Sequence, residues 1–549
     1  MYLFENPVLQ RELLINLRMP RAFVLLFLYQ ALLGAVVYFA WPQDARLDLT
    51  ENPAAARNLV DLFFLGQYIL ASLMAPSFAA GAITGEKERK TYEMLLASPL
   101  RPGAIVIGKF ISSLAHLGVL VFASLPIVML CLPLGGVSPY EVLAAYLGLI
   151  CSVLTFGAIS IACSSYFSRT SASLVVSYLL ILPLAMLAVL LWVNLDLWFG
   201  GQVRLGVALL VAPSVALLMC AVLFDNTSSR MLHPPDVGSE GKEVVDLEQE
   251  SQQAVGLVIQ RDQFPDMLFA PPKRNDLLPD KGNAVYDKEM RSDIFAQGTL
   301  MLRLVIQVSM LVAIPIMAFC LYIFPQWAAW YIGYVCMFNM LVGPVYSAGS
   351  VTSERERQTL DLLLTTLFTP WQILSGKLIA GLRVSSVLTL FLLWPVLLAS
   401  AMISAYWSNL GAVAAFLAIV LMTCVTTSVL GLFCSVLFRK TATSLMTTYL
   451  VIVLLFCSPL AVQFFATTFF PDHPATPYME ATSILSPFAA AAQVPLYTEA
   501  VFEEGTERGS WLLVAGYLGF TALMNFTCLM VMIWLFSDRW RVSASSQEG

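Results

Sequence analysis

Apolar blocks of about 20 residues or more recur along this 549-residue chain, and charge is confined to the stretches between them. A helix rises 1.5 Å per residue, so roughly 20 apolar residues cross the ~30 Å of hydrocarbon in a bilayer. Only 12% of the residues are charged and 58% are apolar, too little charge to cover a soluble surface of this size. Transmembrane β-strands would read as alternating segments of ~10 residues, a pattern the sequence lacks. The expectation is an all-α polytopic membrane protein with about twelve transmembrane helices. In the first half the spans are expected at 22–41, 59–83, 104–131, 140–166, 172–193 and 203–224. In the second half they are expected at 300–324, 328–350, 373–399, 409–436, 443–466 and 511–536. Block 22–41 follows Arg11, Glu12, Arg18 and Arg21 and is too long for a cleavable signal segment. Pro213 lies inside block 203–224, which leaves a bent or re-entrant segment open there.

A charged cassette occurs twice between such blocks. The first copy is Thr84-Gly85-Glu86-Lys87-Glu88-Arg89-Lys90-Thr91, leading through Leu95-Leu96 and Pro102 to Gly108-Lys109. The second is Thr352-Ser353-Glu354-Arg355-Glu356-Arg357-Gln358-Thr359, leading through Leu363-Leu364 and Pro370 to Gly376-Lys377. Eleven of the 26 positions from Thr84 to Lys109 are identical at an offset of 268 residues, without a gap. Other parallels support a repeat. Asn6-Pro7-Val8 with Arg11-Glu12 matches Asn283-Ala284-Val285 with Lys288-Glu289, and Phe167, Thr170 and Tyr178 match Phe438, Thr441 and Tyr449. Pro213 is paired with Pro487 on the same reasoning.

Basic residues set the orientation. With the N-terminus inside, Lys87, Arg89, Lys90, Arg101, Arg169, Arg355, Arg357, Arg439, Lys440 and Arg539 all fall inside, and few basic residues fall outside. Both cassettes and both termini are then cytoplasmic. Each six-span half returns to the same side, so the two are parallel repeats. The expected domains are a first transmembrane unit at 1–224, a cytosolic linker at 225–282 and a second unit at 283–549. From Asp225 to Glu250 the linker holds seven acids and two bases, and prolines recur from Pro234 to Pro279.

Each half opens on a short amphipathic stretch, with Arg11 and Glu12 in the first and Lys288 and Glu289 in the second, suited to lie in the interface plane. The cassettes read as short amphipathic helices. Thr91, Met94, Leu95 and Leu96 would face the membrane or a partner while Glu86 to Lys90 stay solvated; Leu360, Leu363 and Leu364 match them beside Glu354 to Gln358. Positive-inside charge accounts for Lys and Arg there, but not for Glu86, Glu88, Glu354 and Glu356 recurring in register. A pair of cytosolic levers driven by a separate ATPase accounts for both.

No chemistry is expected in this chain: no catalytic, cofactor-binding or metal-binding residues, and no nucleic-acid partner. The ten cysteines lie in apolar blocks without a C-x-x-C pair and read as small buried hydrophobes. The run Gly103 to Lys109 approaches a phosphate loop. Phe110, however, stands where Ser or Thr would hold magnesium, and Trp371 replaces the first glycine in the second copy. Gly108-Lys109 and Gly376-Lys377 are read instead as span starts with a lysine at headgroup level. Acidic residues are missing from the span interiors, so an ion relay is not expected. Gln67, Asn339 and Asn525 read as interhelical hydrogen bonders.

The chain resembles the ABC-2 type permease family, the membrane subunits of one class of ATP-binding-cassette transporters. The resemblance rests on Arg11-Glu12, on Glu86-Lys87-Glu88-Arg89 with Thr91, Glu93, Leu95, Leu96 and Pro99, and on Gly108-Lys109. It recurs at Glu354, Arg355, Glu356, Arg357, Thr359, Asp361, Leu363, Leu364, Gly376 and Lys377. In the family loop a glycine commonly precedes the threonine; Lys90 and Gln358 stand there here. Family members usually carry one six-span unit and pair, so this chain looks like two units fused. The resemblance implies transport, most often export, of an ion, drug or lipid-like substrate across a bacterial inner membrane. It also implies two copies of a separate ATPase, carrying ATP and Mg, docked on loops 84–102 and 352–370. A major-facilitator-type secondary carrier shares the span count but requires an Asp-Arg-x-Gly-Arg loop and intramembrane acids. A non-transporting membrane scaffold is a third possibility.

Overall fold

The computed structural model describes residues 6–17, 53–131, 138–167, 170–199, 201–232, 283–291, 313–356, 358–439, 441–469, 474–496 and 509–545, with a few isolated positions besides. Among these residues all regular structure is helical. The chain divides into two compact units, Met1–Gly256 with Met301–Ile306, and Leu257–Leu300 with Gln307–Gly549.

Unit 1 contains α1 (Pro7–Leu17), α2 (Pro53–Ala79), α3 (Gly81–Glu88), α4 (Tyr92–Leu96), α5 (Pro102–Cys131), α6 (Pro139–Tyr166), α7 (Thr170–Phe199) and α8 (Ala212–Leu232). Unit 2 contains α9 (Ala284–Arg291), α10 (Ala328–Ser347), α11 (Thr352–Glu356), α12 (Leu360–Leu364), α13 (Pro370–Met402), α14 (Leu410–Leu437), α15 (Thr441–Ile452), α16 (Ser458–Phe469) and α17 (Trp511–Ser545). Ten helices among the described residues are long and apolar enough to cross a membrane. They cover ten of the twelve expected spans. Span 22–41 lies outside the described residues except at isolated positions, and span 300–324 is described only as the shorter apolar helix Ala313–Ile323.

The two units pack alike. In unit 1, α6 touches α2, α5, α7 and α8, and α1 lies along α5. In unit 2, α14 touches α10, α13, α15 and α17, and α9 lies along α13. Lipid offers no hydrophobic drive between spans, so small residues that allow close approach decide these contacts. At Gly431 of α14 an added Cβ would meet the Ser347 Cβ at 2.9 Å and the Pro344 Cα at 3.2 Å, so α10 can only lie this close against glycine. Polar groups then bond across the helices. The Thr389 hydroxyl donates to Asn339 (2.6 Å), Asn525 donates to Thr426 (3.0 Å), and Ser124 reaches Gln67 at 3.4 Å.

Three π turns each end two residues before a proline: Val207–Val211 before Pro213, Ala318–Ile323 before Pro325 and Val453–Cys457 before Pro459. Proline has no N–H and its ring crowds the carbonyl four residues back, so the ladder widens there. Helical structure nonetheless runs without a break from Gly201 to Leu232, with no reversal at Pro213. The sequence pairing of Pro213 with Pro487 does not hold, because Pro487 opens a separate six-residue helix, Pro487–Ala492. By packing, α8 corresponds to α17, and unit 2 inserts the segment containing Pro487 before it.

Candidate functional site

Each cassette folds as an elbow between a long helix and the next one. In the first, α3 ends at Arg89, the chain turns at Lys90, and α4 begins after Thr91. The Thr91 N–H donates to the Glu86 carbonyl (3.0 Å) and the Lys90 N–H to the Lys87 carbonyl (3.1 Å). In the second elbow Thr359 donates to Glu354 (2.9 Å) and Gln358 to Arg355 (3.1 Å). This paired bonding is the Schellman ending, which requires a left-handed residue directly after the cap. Lys90 (φ 56°) and Gln358 (φ 57°) fill that position, and among the described residues no other non-glycine has a positive φ. The two departures from glycine in the sequence therefore fall where glycine would relieve backbone strain.

The N-terminal ends of the elbows are capped from another helix. Ala80, before α3, has no side chain that could accept a bond. The Ser164 hydroxyl of α6 instead accepts the orphan N–H groups of Ile83 (3.0 Å) and Thr84 (2.9 Å). In unit 2, Ser435 accepts from Val351 (2.9 Å) and Thr352 (3.1 Å).

Glu86 and Lys87, like Glu354 and Arg355, turn inward, which corrects the expectation that Glu86 to Lys90 all stay solvated; Glu88, Arg89 and Lys90 are exposed as expected. The Lys87 ammonium donates to the carbonyls of Ser165 (2.6 Å) and Phe167 (3.0 Å) at the end of α6. Arg355 does the same with Phe438 (2.5 Å) and Val436 (2.8 Å). Glu88 accepts the Thr170 N–H (2.7 Å) at the start of α7, and Glu356 accepts the Thr441 N–H (3.0 Å) at the start of α15. The alternating acid–base order thus fits two neighbours at once. The base ties the elbow to helix-end carbonyls, and the following acid ties it to a helix-start N–H, each matching the local dipole.

Glu86 and Glu354 face a third neighbour. Lys109 of α5 bonds Glu86 (3.0 Å) and Glu12 of α1 (3.1 Å), joining elbow, interfacial helix and next span. Lys377 of α13 bonds Glu289 of α9 (2.6 Å) and lies 3.5 Å from Glu354, which Lys288 also holds at 2.6 Å. The Thr91 hydroxyl donates to the second Glu86 oxygen, and Thr359 to that of Glu354. Lys109 and Lys377 are buried, at 3% and 2% exposure, so they are not headgroup lysines as expected but the centres of a clasp. Burying an ammonium group is costly unless anions and acceptors surround it, and two carboxylates do so in each half.

An asparagine completes each clasp. Asn6 caps α1 by accepting from the Val8 N–H (3.0 Å) and donates to the Ala104 carbonyl of α5 (2.6 Å). Asn283 accepts from Val285 (3.0 Å) and donates to Gln372 (2.8 Å). A Cβ on Gly108 would meet the Asn6 Nδ2 at 2.9 Å, and one on Gly376 the Asn283 Nδ2 at 3.0 Å. The Gly-Lys pair therefore has one purpose in each half: glycine admits the asparagine and lysine joins the acids.

The outer surface of the elbows is partly apolar. Met94 is 76% exposed, Leu362 69% and Leu367 fully so, whereas Leu95, Leu96, Leu363 and Leu364 are half-buried. Leu363 and Leu364 pack on a core of Val351, Ile373, Val436 and Phe536. The leucines singled out from the sequence thus anchor the elbow, and the residue before each pair forms its tip. Arg89 and Arg11 are exposed, and Arg357 lies outside the described residues. Tyr92, at the start of α4, is held neutral: burial pushes its phenol above the ordinary value, and the Arg230 charge offsets part of that. Ser164 and Ser435 escaped the sequence reading. Their signal was the repeated Cys-Ser-x-x-Phe at Cys163 and Cys434.

The family model for ABC-2 family transporter proteins matches residues 8–197 and 236–537. The chain belongs to the ABC-2 transporter family. Two matches in one chain fit two fused units, each holding one elbow and one clasp. Membership makes this ABC-2 protein a multi-pass membrane component of a transporter whose partner is an ABC ATPase subunit, and not itself a catalyst. Curated proteins offer no match to it.

Proposed function

We propose that the chain is a complete permease in which two six-span units form the pathway and separate ATPase subunits, one per elbow, drive it by docking on loops 84–102 and 352–370. The observation that carries this reading is the clasp in duplicate. A force on the Met94 or Leu362 tip reaches a short stiff elbow whose charges are tied to three other helices. The clasp passes it to α1 and α5, or to α9 and α13. Lys87 and Glu88, with Arg355 and Glu356, pass it to α6 and α7, or to α14 and α15. ATP and Mg belong to the ATPase, whose closure favours one arrangement of the spans over another. Domain limits of 1–224 and 283–549 around a linker at 225–282, both termini and both elbows in the cytoplasm, a bacterial inner membrane and export as the direction complete the reading.

Affinity purification of the full chain from its native membrane, with mass spectrometry of what accompanies it, tests this directly. Two ATPase copies per chain are expected, and Met94→Asp with Leu362→Asp should remove them while the chain stays folded. Recovery of the chain alone, together with substrate uptake driven by a proton gradient in ATP-free vesicles, would replace the ATPase reading with a secondary carrier.

A further inference from the structure

Unit 1 holds a cationic place that the clasp does not use. Arg230, near the end of α8, lays its guanidinium over the Tyr166 ring, 3.8 Å from the ring centre. Its Nε is buried and has no hydrogen-bond partner. The Lys87 ammonium lies 5.5 Å from the centre of the Tyr92 ring and close enough to Arg230 for the two charges to repel. Among the described residues no carboxylate pairs with either cation. Glu88, next in sequence to Lys87, is turned to the Thr170 N–H. The Lys87 donors are taken by the Ser164, Ser165 and Phe167 carbonyls, so Lys87 contributes its charge and Arg230 the unpartnered donor. An anion at Arg230 would be stabilised by both.

We propose that this pocket binds the phosphate group of an anionic phospholipid. Phosphate suits the donors: guanidinium recognises it through its edge N–H groups, and the orphaned Nε is one of them, while stacking on Tyr166 occupies the flat face. Lys87 adds a second charge. The lipid source follows from where α8 stands. One side of this helix packs on α6 and α5, and the other exposes Val215, Leu217, Leu218 and Val222, an apolar face suited to acyl chains. Its apolar run ends at Phe224, and Arg230 lies six residues on, roughly 9 Å along the axis. Helical side chains lean back toward the N-terminus, which returns the guanidinium toward the headgroup layer.

The test uses the full chain in a neutral detergent, following its thermal unfolding midpoint during titration with dihexanoyl phosphatidylglycerol, dihexanoyl phosphatidylcholine or inorganic phosphate. Phosphatidylglycerol should raise the midpoint saturably and phosphatidylcholine should not. Arg230→Gln should raise the half-saturating concentration roughly tenfold, the weight of a charge-assisted hydrogen bond. This variant removes no hydrogen bond at Nε, so it is expected to fold. Native mass spectrometry should show fewer retained phosphatidylglycerol molecules on it than on the wild type. Equal protection of wild type and Arg230→Gln would overturn the proposal. Equal protection by inorganic phosphate at matched concentration would overturn the lipid as the source. The linker is the rival anion. A response seen only after Asp236, Glu240, Glu243, Asp246, Glu248 and Glu250 are changed to amides would make it the occupant instead.

Discussion

Lys109→Met removes the shared cation of the first clasp and, among the described residues, leaves Glu12 and Glu86 with only the exposed Arg11 charge beside them. Breaking a fully buried pair by deleting one partner costs roughly 3–5 kcal/mol. Here the Glu12 and Glu86 side chains keep 31% and 24% exposure, so water recovers part of that cost. Glu86 also keeps its bond from Thr91. About 2 kcal/mol remains, borne mainly by the docking of α1 on α5, and this equals roughly a thirtyfold rise in local opening. Hydrogen–deuterium exchange of peptides covering Pro7–Leu17 reads that opening, and should quicken about thirtyfold while α6 peptides are unchanged. The cost comes from stranded carboxylates and not from a lost contact. Adding Glu12→Gln and Glu86→Gln to Lys109→Met should therefore recover most of the protection. If the triple variant exchanges as fast as Lys109→Met alone, the electrostatic account of the clasp is wrong.

The same reasoning gives three further outcomes. Ser435→Ala strands the Val351 and Thr352 N–H groups, and at about 1–3 kcal/mol for each buried donor it should open the second elbow, seen as faster exchange over 352–364. Gln358→Val places a β-branched residue at φ 57° and should destabilise that elbow by about 1–2 kcal/mol, whereas Gln358→Gly should leave its exchange unchanged or slower. Gly376→Ala pushes a Cβ to 3.0 Å from Asn283 and should loosen α9 by about 1–3 kcal/mol, measurable as exchange over Ala284–Arg291; equal protection would show that the asparagine can yield.

The sequence by itself determined the class of fold, the duplication and the place of the elbows. These are written in local order: runs of apolar residues long enough to span a bilayer, and one cassette repeated at a fixed offset. The bilayer makes such runs helical whatever their neighbours, because every backbone polar group must bond within its own segment. The direction in which the cassette charges point is not local. Glu86 and Lys87 look like a solvated stripe in sequence, yet their partners are Lys109, Glu12 and the carbonyls at the end of α6. Only packing brings those helix ends together, and in unit 2 it does the same for Glu354, Lys377 and Lys288. Packing also decided that Leu95 and Leu363 anchor while Met94 and Leu362 stand out, since five-residue helices have too few turns for periodicity to fix a face. The meaning of Lys90 and Gln358 waited on the backbone as well: a missing glycine in the sequence became a left-handed turn held by bonds on both sides.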